Sequence, residues 1–173
     1  EISGGLVGSE MCIRDSLMSR TKEAARRFGR AMERREVQKE YLAIVSGRPE
    51  WERQRVAEPI LRKGEVGESR IWIKQVVHPD GKYAATDFEV VRRFENAHGY
   101  FAVVRARPET GRTHQIRVHL NTLGHPIVGD KIYGPSEDCY LEFIENGWNR
   151  RLENLLYLPR HALHASRLLI PDK

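Results

Sequence analysis

The stretch that most restricts what this chain can be is residues 107–134, RPETGRTHQIRVHLNTLGHPIVGDKIYG. Arginines, histidines, a glutamine and glycines crowd an interval between two segments of strand character, where a purely structural element would carry apolar residues. Pro108-Glu109-Thr110-Gly111 has the composition of a tight turn, proline fixing φ early and glycine free to take φ > 0 late. Thr113 can then cap a short helix over 114–123, and Gly124 is placed to stop it. Ile116, Leu120 and Leu123 share one face of that helix at spacings of four and three, which predicts burial. Arg117 lies about 100° round from Ile116, at the edge of the buried stripe. A guanidinium there is expected to meet a carboxylate or a phosphate.

Bulk properties narrow the class. The 173 residues are enough for one domain with a real core. A hydrophobic content of 40% and a charged content of 31% fit a soluble globular chain. No apolar run approaches the ~18 residues of a membrane-spanning helix, and no secretory signal is visible. Two cysteines, Cys12 and Cys139, make no disulfide framework and suit a reducing cytoplasm. Neither zinc-type Cys/His spacing nor a phosphate-binding glycine loop is present. A net charge of +5 and a pI near 9.4 suit a polyanionic partner such as RNA.

The run Thr110-Gly111-Arg112-Thr113-His114-Gln115-Ile116-Arg117-Val118-His119, followed by Gly124-His125-Pro126-Ile127-Val128-Gly129-Asp130 and Tyr133-Gly134, resembles the signature of the RluA-type pseudouridine synthases. The resemblance implies an α+β fold, with a mixed, mostly antiparallel central sheet and flanking helices. It implies an isomerase that converts uridines in RNA, ribosomal RNA before transfer RNA, to pseudouridine. No metal or other cofactor is implied. The target nucleotide must leave its helix to be reached, and an aspartate acts as nucleophile or base. Arg117 would pair with that aspartate, holding it ionised and oriented. Ile116 would form an apolar wall of the pocket. Arg112, His114 and Gln115 would either support the loop or touch RNA phosphates. His119, His125 and His164 read as structural histidines, and Asp130 as the residue that fixes the turn at 129–134.

Taken in order, the chain opens with Glu1-Ile2-Ser3-Gly4, whose Ile-Ser-Gly is similar to the tail of the family's aspartate motif. Residues 5–16, GLVGSEMCIRDS, are similar to the in-frame translation of a sequencing-library transposase adapter, and the interval shows neither alternation nor a helical stripe. Leu17-Met18 resembles the end of the strand that follows the motif. On this alignment the chain is N-terminally incomplete: 1–16 is a motif remnant plus an adapter-derived artefact, and 17–173 a partial catalytic domain. The nucleophilic aspartate is expected just upstream of Glu1, so that the chain as written would be inactive and would keep at most the properties of a non-catalytic RNA-binding module. Asp15, inside the adapter-like run, is not expected to replace it.

Thr21 can cap a helix over 22–35, with Ala24, Phe28, Ala31 and Met32 as its buried stripe. Its arginine-rich outer face is either solvated or in contact with an RNA backbone. Residues 41–45 read as a buried strand ended by Gly47. The Lys39-x-Tyr41 start resembles the family's second motif, which implies that Tyr41 lies against the target base, its ring for stacking and its hydroxyl for moving a proton. A short strand is expected near 57–61, then three strands at 70–77, 82–94 and 100–107 as an antiparallel meander feeding the motif helix. Residues 137–149 suggest loops or a short helix, and 160–171 a final strand. A monomer in the cytoplasm, bound to RNA and to no membrane, completes the expectation.

Overall fold

The computed structural model describes residues 19–34 and 36–170. Its frame is a long hairpin. Strand β5 (Thr86–Asn96) and strand β6 (Gly99–Pro108) pair antiparallel from Thr86↔Pro108 to Asn96↔Gly99. Gly99 takes φ 113° at the turn, a value strained for any side chain. Strand β1 (Gln38–Ser46) adds to β6, strand β7 (Leu163–Leu169) adds to β1, and strand β2 (Arg53–Val56) adds to β5. The sheet order is β2-β5-β6-β1-β7, antiparallel throughout.

Period-two alternation decides which face is buried. Ala43 and Val45 of β1, Phe88 and Val90 of β5, and Ala102, Val104 and Ala106 of β6 form one apolar surface. Helix α2 (Gln115–Thr122) lays Ile116 and Leu120 against it, with Ile127 alongside. On the opposite face Arg105 and Arg107, which alternate with Val104 and Ala106, form ion pairs with Glu40 and Glu89. These half-exposed pairs stabilise the fold little. A second cluster, Ile60, Ile71, Ala84, Val118, Ile132 and Tyr133, packs beneath α2. A third joins helix α3 (Asp138–Asn146) to helix α4 (Arg150–Leu156) through Cys139, Leu152 and Leu156.

Several expectations are corrected. The alternating run at 70–77 is a strand only over β4 (Gln75–Val77), which pairs with β3 (Ile60–Arg62) in a separate two-stranded sheet. The Lys74 N–H closes a turn onto the Ile71 carbonyl, so Ile71 is buried in the second cluster while Trp72 stands exposed beneath the Arg62 guanidinium. The three-stranded meander is therefore a two-stranded hairpin. The strand expected from residue 82 starts at Thr86, because Lys82 pairs with Ile60 instead and Gly81 lies hard against the Ile60 backbone. Helix α1 (Lys22–Glu33) is capped by the Thr21 hydroxyl as expected, but of its proposed stripe only Ala31 is buried. Phe28 is half-buried, and Ala24 and Met32 are exposed. Helix α4 falls where no element was expected; the Asn149 side chain accepts the Leu152 N–H at its start.

No helix among the described residues is long and apolar enough to cross a membrane. The expectations for residues 1–18, including the motif remnant, the adapter-like run, Asp15 and the end of a strand at Leu17-Met18, lie outside the described residues.

Candidate active site

The turn into α2 is built differently from a side-chain-capped helix. His114, not Thr113, is the residue before the first helical position, in the left-handed region at φ 57° and ψ 15°, and no side chain caps the helix. Gln115 supplies the missing order. Its Oε1 accepts from the Arg112 N–H at 3.0 Å and from the Thr110 hydroxyl at 2.6 Å. Its Nε2 donates to the Ala85 carbonyl at 2.8 Å and to the Thr86 hydroxyl oxygen at 2.9 Å. Thr86 in turn bonds His119 Nδ1 at 3.0 Å, and His119 Nε2 donates to the Glu58 carbonyl at 3.1 Å. This buried chain ties the turn to the start of β5, and burial pushes His119 down from its ordinary pKa. Gly124, at φ 79°, ends the helix as expected.

Arg117, one position beyond Ile116 on α2, is not at the edge of the core but inside it. Its Nε and Nη2 bond the two carboxylate oxygens of Asp130 at 2.6 and 2.7 Å, with 2% and 0% of the side chains exposed. Asp130 Oδ1 also accepts the N–H groups of Ile132 and Tyr133, each at 3.0 Å, so Asp130 fixes the turn as expected and anchors the arginine as well. Burial alone would lift the Asp130 carboxyl; the Arg117 guanidinium and the backbone donors bring it below its ordinary value. The Tyr133 ring lies under the guanidinium at 4.8 Å.

In front of Arg117 opens a cavity of about 170 Å³. All seven residues singled out from the sequence line it: Lys39, Tyr41, Arg112, His114, Gln115, Ile116 and Arg117. Tyr41 is half-buried on β1 beside a bulge at Glu40/Tyr41 and faces alanines on both neighbouring strands, Ala106 and Ala165. Bulges re-aim side chains, and the small partners leave room beside the ring. Arg112 is steadied by its Nε bond to the Tyr83 carbonyl at 3.0 Å. His125 and His164 stay outside the cavity lining: His125 Nδ1 bonds the Ser46 carbonyl, and His164 is exposed on β7.

Sequence reasoning missed four participants. Leu163 of β7 lines the cavity from the strand next to Tyr41, and Thr110 lines it from the turn. Tyr133 is buried behind His114, its hydroxyl 2.9 Å from His114 Nδ1. His161 is 7% exposed near Arg117 and Asp130, and burial and the neighbouring guanidinium push it down to about 4. The same causes push His114 down to about 3. Tyr133 and Thr110 stand in the motif itself and could have been found there, and Leu163 opens a Leu163-His164-Ala165 run that resembles the family's C-terminal strand; His161 carries no local signal. Among the described residues no group of histidines, cysteines and carboxylates is arranged to hold a metal ion, and no carboxylate lines the cavity.

A neutral apolar wall, an aromatic ring and the cations Lys39 and Arg112 around a small cavity suit a flat uncharged ring joined to an anionic backbone. The comparisons agree with that chemistry. The sequence model of the family described as RNA pseudouridylate synthase matches residues 16–122. An uncharacterized RNA pseudouridine synthase of Chlorobaculum parvum is 36% identical over 158 residues, covering 88% of this chain and 45% of its own length. The ribosomal large subunit pseudouridine synthase D of Yersinia pestis is 40% identical over 156 residues, covering 88% and 42%. The solved structure of human RNA pseudouridylate synthase domain containing 1 superposes with a TM-score of 0.68 at 29% identity, over 88% of this chain and 57% of that one. The chain thus spans less than half the length of these two curated relatives. A match over most of the chain, in sequence and in fold, makes it a member of the RNA pseudouridylate synthase family, of the RluA type that its central motif resembles.

Proposed function

We propose that the chain is the larger part of the catalytic domain of an RNA pseudouridine synthase that isomerises uridines in RNA, with large-subunit ribosomal RNA as the substrate class. One observation carries this reading: Tyr41 and Arg117, from distant parts of the sequence, line one small cavity with every other residue assigned to the site. That relatives such as the Yersinia pestis protein are ribosomal large subunit pseudouridine synthases supports ribosomal RNA over transfer RNA.

The reaction breaks the bond from ribose C1′ to uracil N1, turns the base, and joins C1′ to C5; the C5 proton leaves and N1 gains one, so the product is an isomer. Arg117, fixed by Asp130, orients the nucleophilic aspartate. Tyr41 stacks on the uracil and helps remove the C5 proton. Ile116 is the apolar wall, and Lys39 and Arg112 meet the flanking phosphates. The protein works on RNA as a cytoplasmic monomer, without metal or cofactor.

The nucleophile is supplied from upstream of Glu1, 17–173 is the catalytic-domain part, and 5–16 is foreign to it. A family match that begins at residue 16 supports this division. For the chain as written, without that upstream aspartate, the second reading is a non-catalytic RNA-binding module whose cavity keeps the cations Lys39 and Arg112.

The test is to resequence the gene across its 5′ end without transposase tagging, express the completed protein, and score pseudouridine in unmodified ribosomal RNA by chemical derivatisation and reverse-transcription stops. The expected result is product with the completed protein, none with residues 1–173 alone, and loss of product but not of RNA binding in Arg117→Ala. A completed protein that binds RNA and makes no pseudouridine establishes the binding module instead.

A further inference from the structure

We propose that His114 is a tautomer-locked hydrogen-bond donor that recognises a carbonyl oxygen of the pyrimidine base in the cavity. This deepens the reading of the site as a uridine-isomerising pocket and rests on it.

The argument starts behind the cavity, at the Tyr133 hydroxyl. Tyr133 is 2% exposed. Its oxygen accepts the Gln75 N–H at 2.9 Å and lies 2.9 Å from His114 Nδ1. A phenol has a single proton to give, and among the described residues His114 Nδ1 is the one acceptor within reach of it. Leaving a buried hydroxyl proton without an acceptor forfeits its hydration with nothing in return. The Tyr133 hydroxyl therefore donates to Nδ1, Nδ1 is the acceptor, and the imidazole proton resides on Nε2. Burial keeps both partners in the required state: it raises Tyr133 above its ordinary pKa, so the phenol stays protonated, and it lowers His114, so the ring stays neutral.

The backbone adds an independent observation. His114 is one of only two non-glycine residues at positive φ among the described residues. Such a conformation is strained and persists where the surroundings over-determine it. Here it turns the imidazole so that one nitrogen meets Tyr133 while the ring still lines the cavity. Nε2 has no protein partner among the described residues and is not among the fully enclosed unpaired atoms. The geometry is that of a donor reserved for a ligand.

A neutral N–H suits a neutral acceptor. The acceptors a uracil offers are its 2- and 4-carbonyl oxygens, and the 4-position carries an amino group in cytosine. A donor facing that amino group would be left unpaired, which is the kind of mismatch by which a polar site rejects an analogue. Protonation would turn Nε2–H into part of a second cation beside Arg117, suited to phosphate; the depressed basicity of the ring opposes that use.

The test reads the ring in the unsubstituted chain. Long-range proton–nitrogen spectra of the 15N-labelled chain report which nitrogen of each imidazole is protonated, with His114 assigned from a His114→Asn variant; asparagine tolerates the left-handed region. We expect His114 to hold its proton on Nε2 from about pH 5 to about 8, and its Nε2–H resonance to move downfield with millimolar uridine 5′-monophosphate and not with inorganic phosphate. Movement with the uridine nucleotide alone supports the proposal and assigns the 4-oxygen; equal movement with cytidine 5′-monophosphate supports it and assigns the 2-oxygen. A proton on Nδ1, no response to the uridine nucleotide, or an equal response to inorganic phosphate overturns it. In Tyr133→Phe the lock is gone, and a mixture of tautomers is expected; an unchanged Nε2–H form would show that Tyr133 does not set it. A completed protein that shows the His114 response but makes no pseudouridine overturns the functional reading and leaves the donor standing.

Discussion

Arg117 and Asp130 meet as a two-pronged fork, Nε to Oδ2 at 2.6 Å and Nη2 to Oδ1 at 2.7 Å, in the interior beneath the cavity. Two charges so far from water hold together only while both are present. Removing one partner of such a pair costs about 3–5 kcal/mol, because the other is left uncompensated. Asp130→Ala should lower the unfolding free energy by that amount, read as a lower denaturation midpoint in urea at an unchanged m-value. Arg117→Lys should recover little, since an ammonium cannot make both prongs. Asp130→Asn, which keeps the acceptor for the Ile132 and Tyr133 N–H groups, should fall between. Equal midpoints for Asp130→Ala and the parent would mean that the pair contributes nothing to folding.

Acid should unfold the protein in two stages. Below their unfolded pKa near 6.5, His161 and His114 must take up protons in the unfolded chain while their folded forms, at about 4 and about 3, stay neutral. The unfolded state then binds more protons, and stability falls as pH drops from about 6.5 to about 4. For His161 alone the loss is on the order of 2–3 kcal/mol. Asp130 and Glu137 are held below the ordinary carboxylate range, Glu137 at about 2 through Lys63 and Lys74. Their contribution is present above the unfolded carboxylate pKa and is lost as pH falls further. Urea midpoints against pH should show the upper stage flattened in His161→Asn, and a profile unchanged by that substitution would remove His161 from the account.

Gly129 has φ 78°, and a β-carbon there would lie 2.1 Å from the Arg160 carbonyl oxygen. Both the conformation and the contact involve backbone, so nothing flexible can give way. Gly129→Ala should cost on the order of 3 kcal/mol or more, and by displacing residues 160–163 it should also open the cavity at Leu163. Gly124→Ala, with φ 79° but open space around it, should cost only the strain of the left-handed backbone. Thermal melts of the two variants side by side separate crowding from strain.

Tyr41 lines the cavity from a strand whose pairing does not depend on its hydroxyl. In the completed enzyme Tyr41→Phe should keep the fold and RNA affinity and lower kcat by about 10²-fold or more, the usual scale for a positioned proton-transfer group. A KM change with kcat intact would instead assign Tyr41 to binding alone.

The candidate cavity was legible where its lining is contiguous in sequence. Ile116, Arg117 and the turn before them lie in one run, and Tyr41 is announced by the strand that carries it. What stayed hidden was pairing through space. Nothing near Arg117 in sequence marks Asp130 as its partner, since the same aspartate is a sufficient turn residue by itself. Gln75, Tyr133 and His114 form a hydrogen-bonded line although Gln75 and Tyr133 are separated by 58 positions. In the fold, the alternation of Ile71 and Ile73 was a true apolar signal attached to the wrong geometry: Ile71 reaches its cluster from a turn, not a strand. The stripe of α1 failed for the opposite reason. Its 3.6-residue period was correctly read as a helix, but of its apolar residues only Ala31 is buried.

Strand β1 lies between β6 and β7, and Leu163 at the start of β7 closes the cavity that Tyr41 of β1 opens. A ribosome delivers these strands far apart in time. Residues emerge at roughly 5–20 per second, so the edge of β1 that awaits β7 stays open for several seconds after its other neighbour is available. Throughout that interval a bare strand edge with Tyr41 upon it is offered to any extended chain nearby. The pocket is therefore a late product of synthesis, and a nascent chain halted before residue 163 would hold the arginine, the tyrosine and the motif helix without enclosing anything.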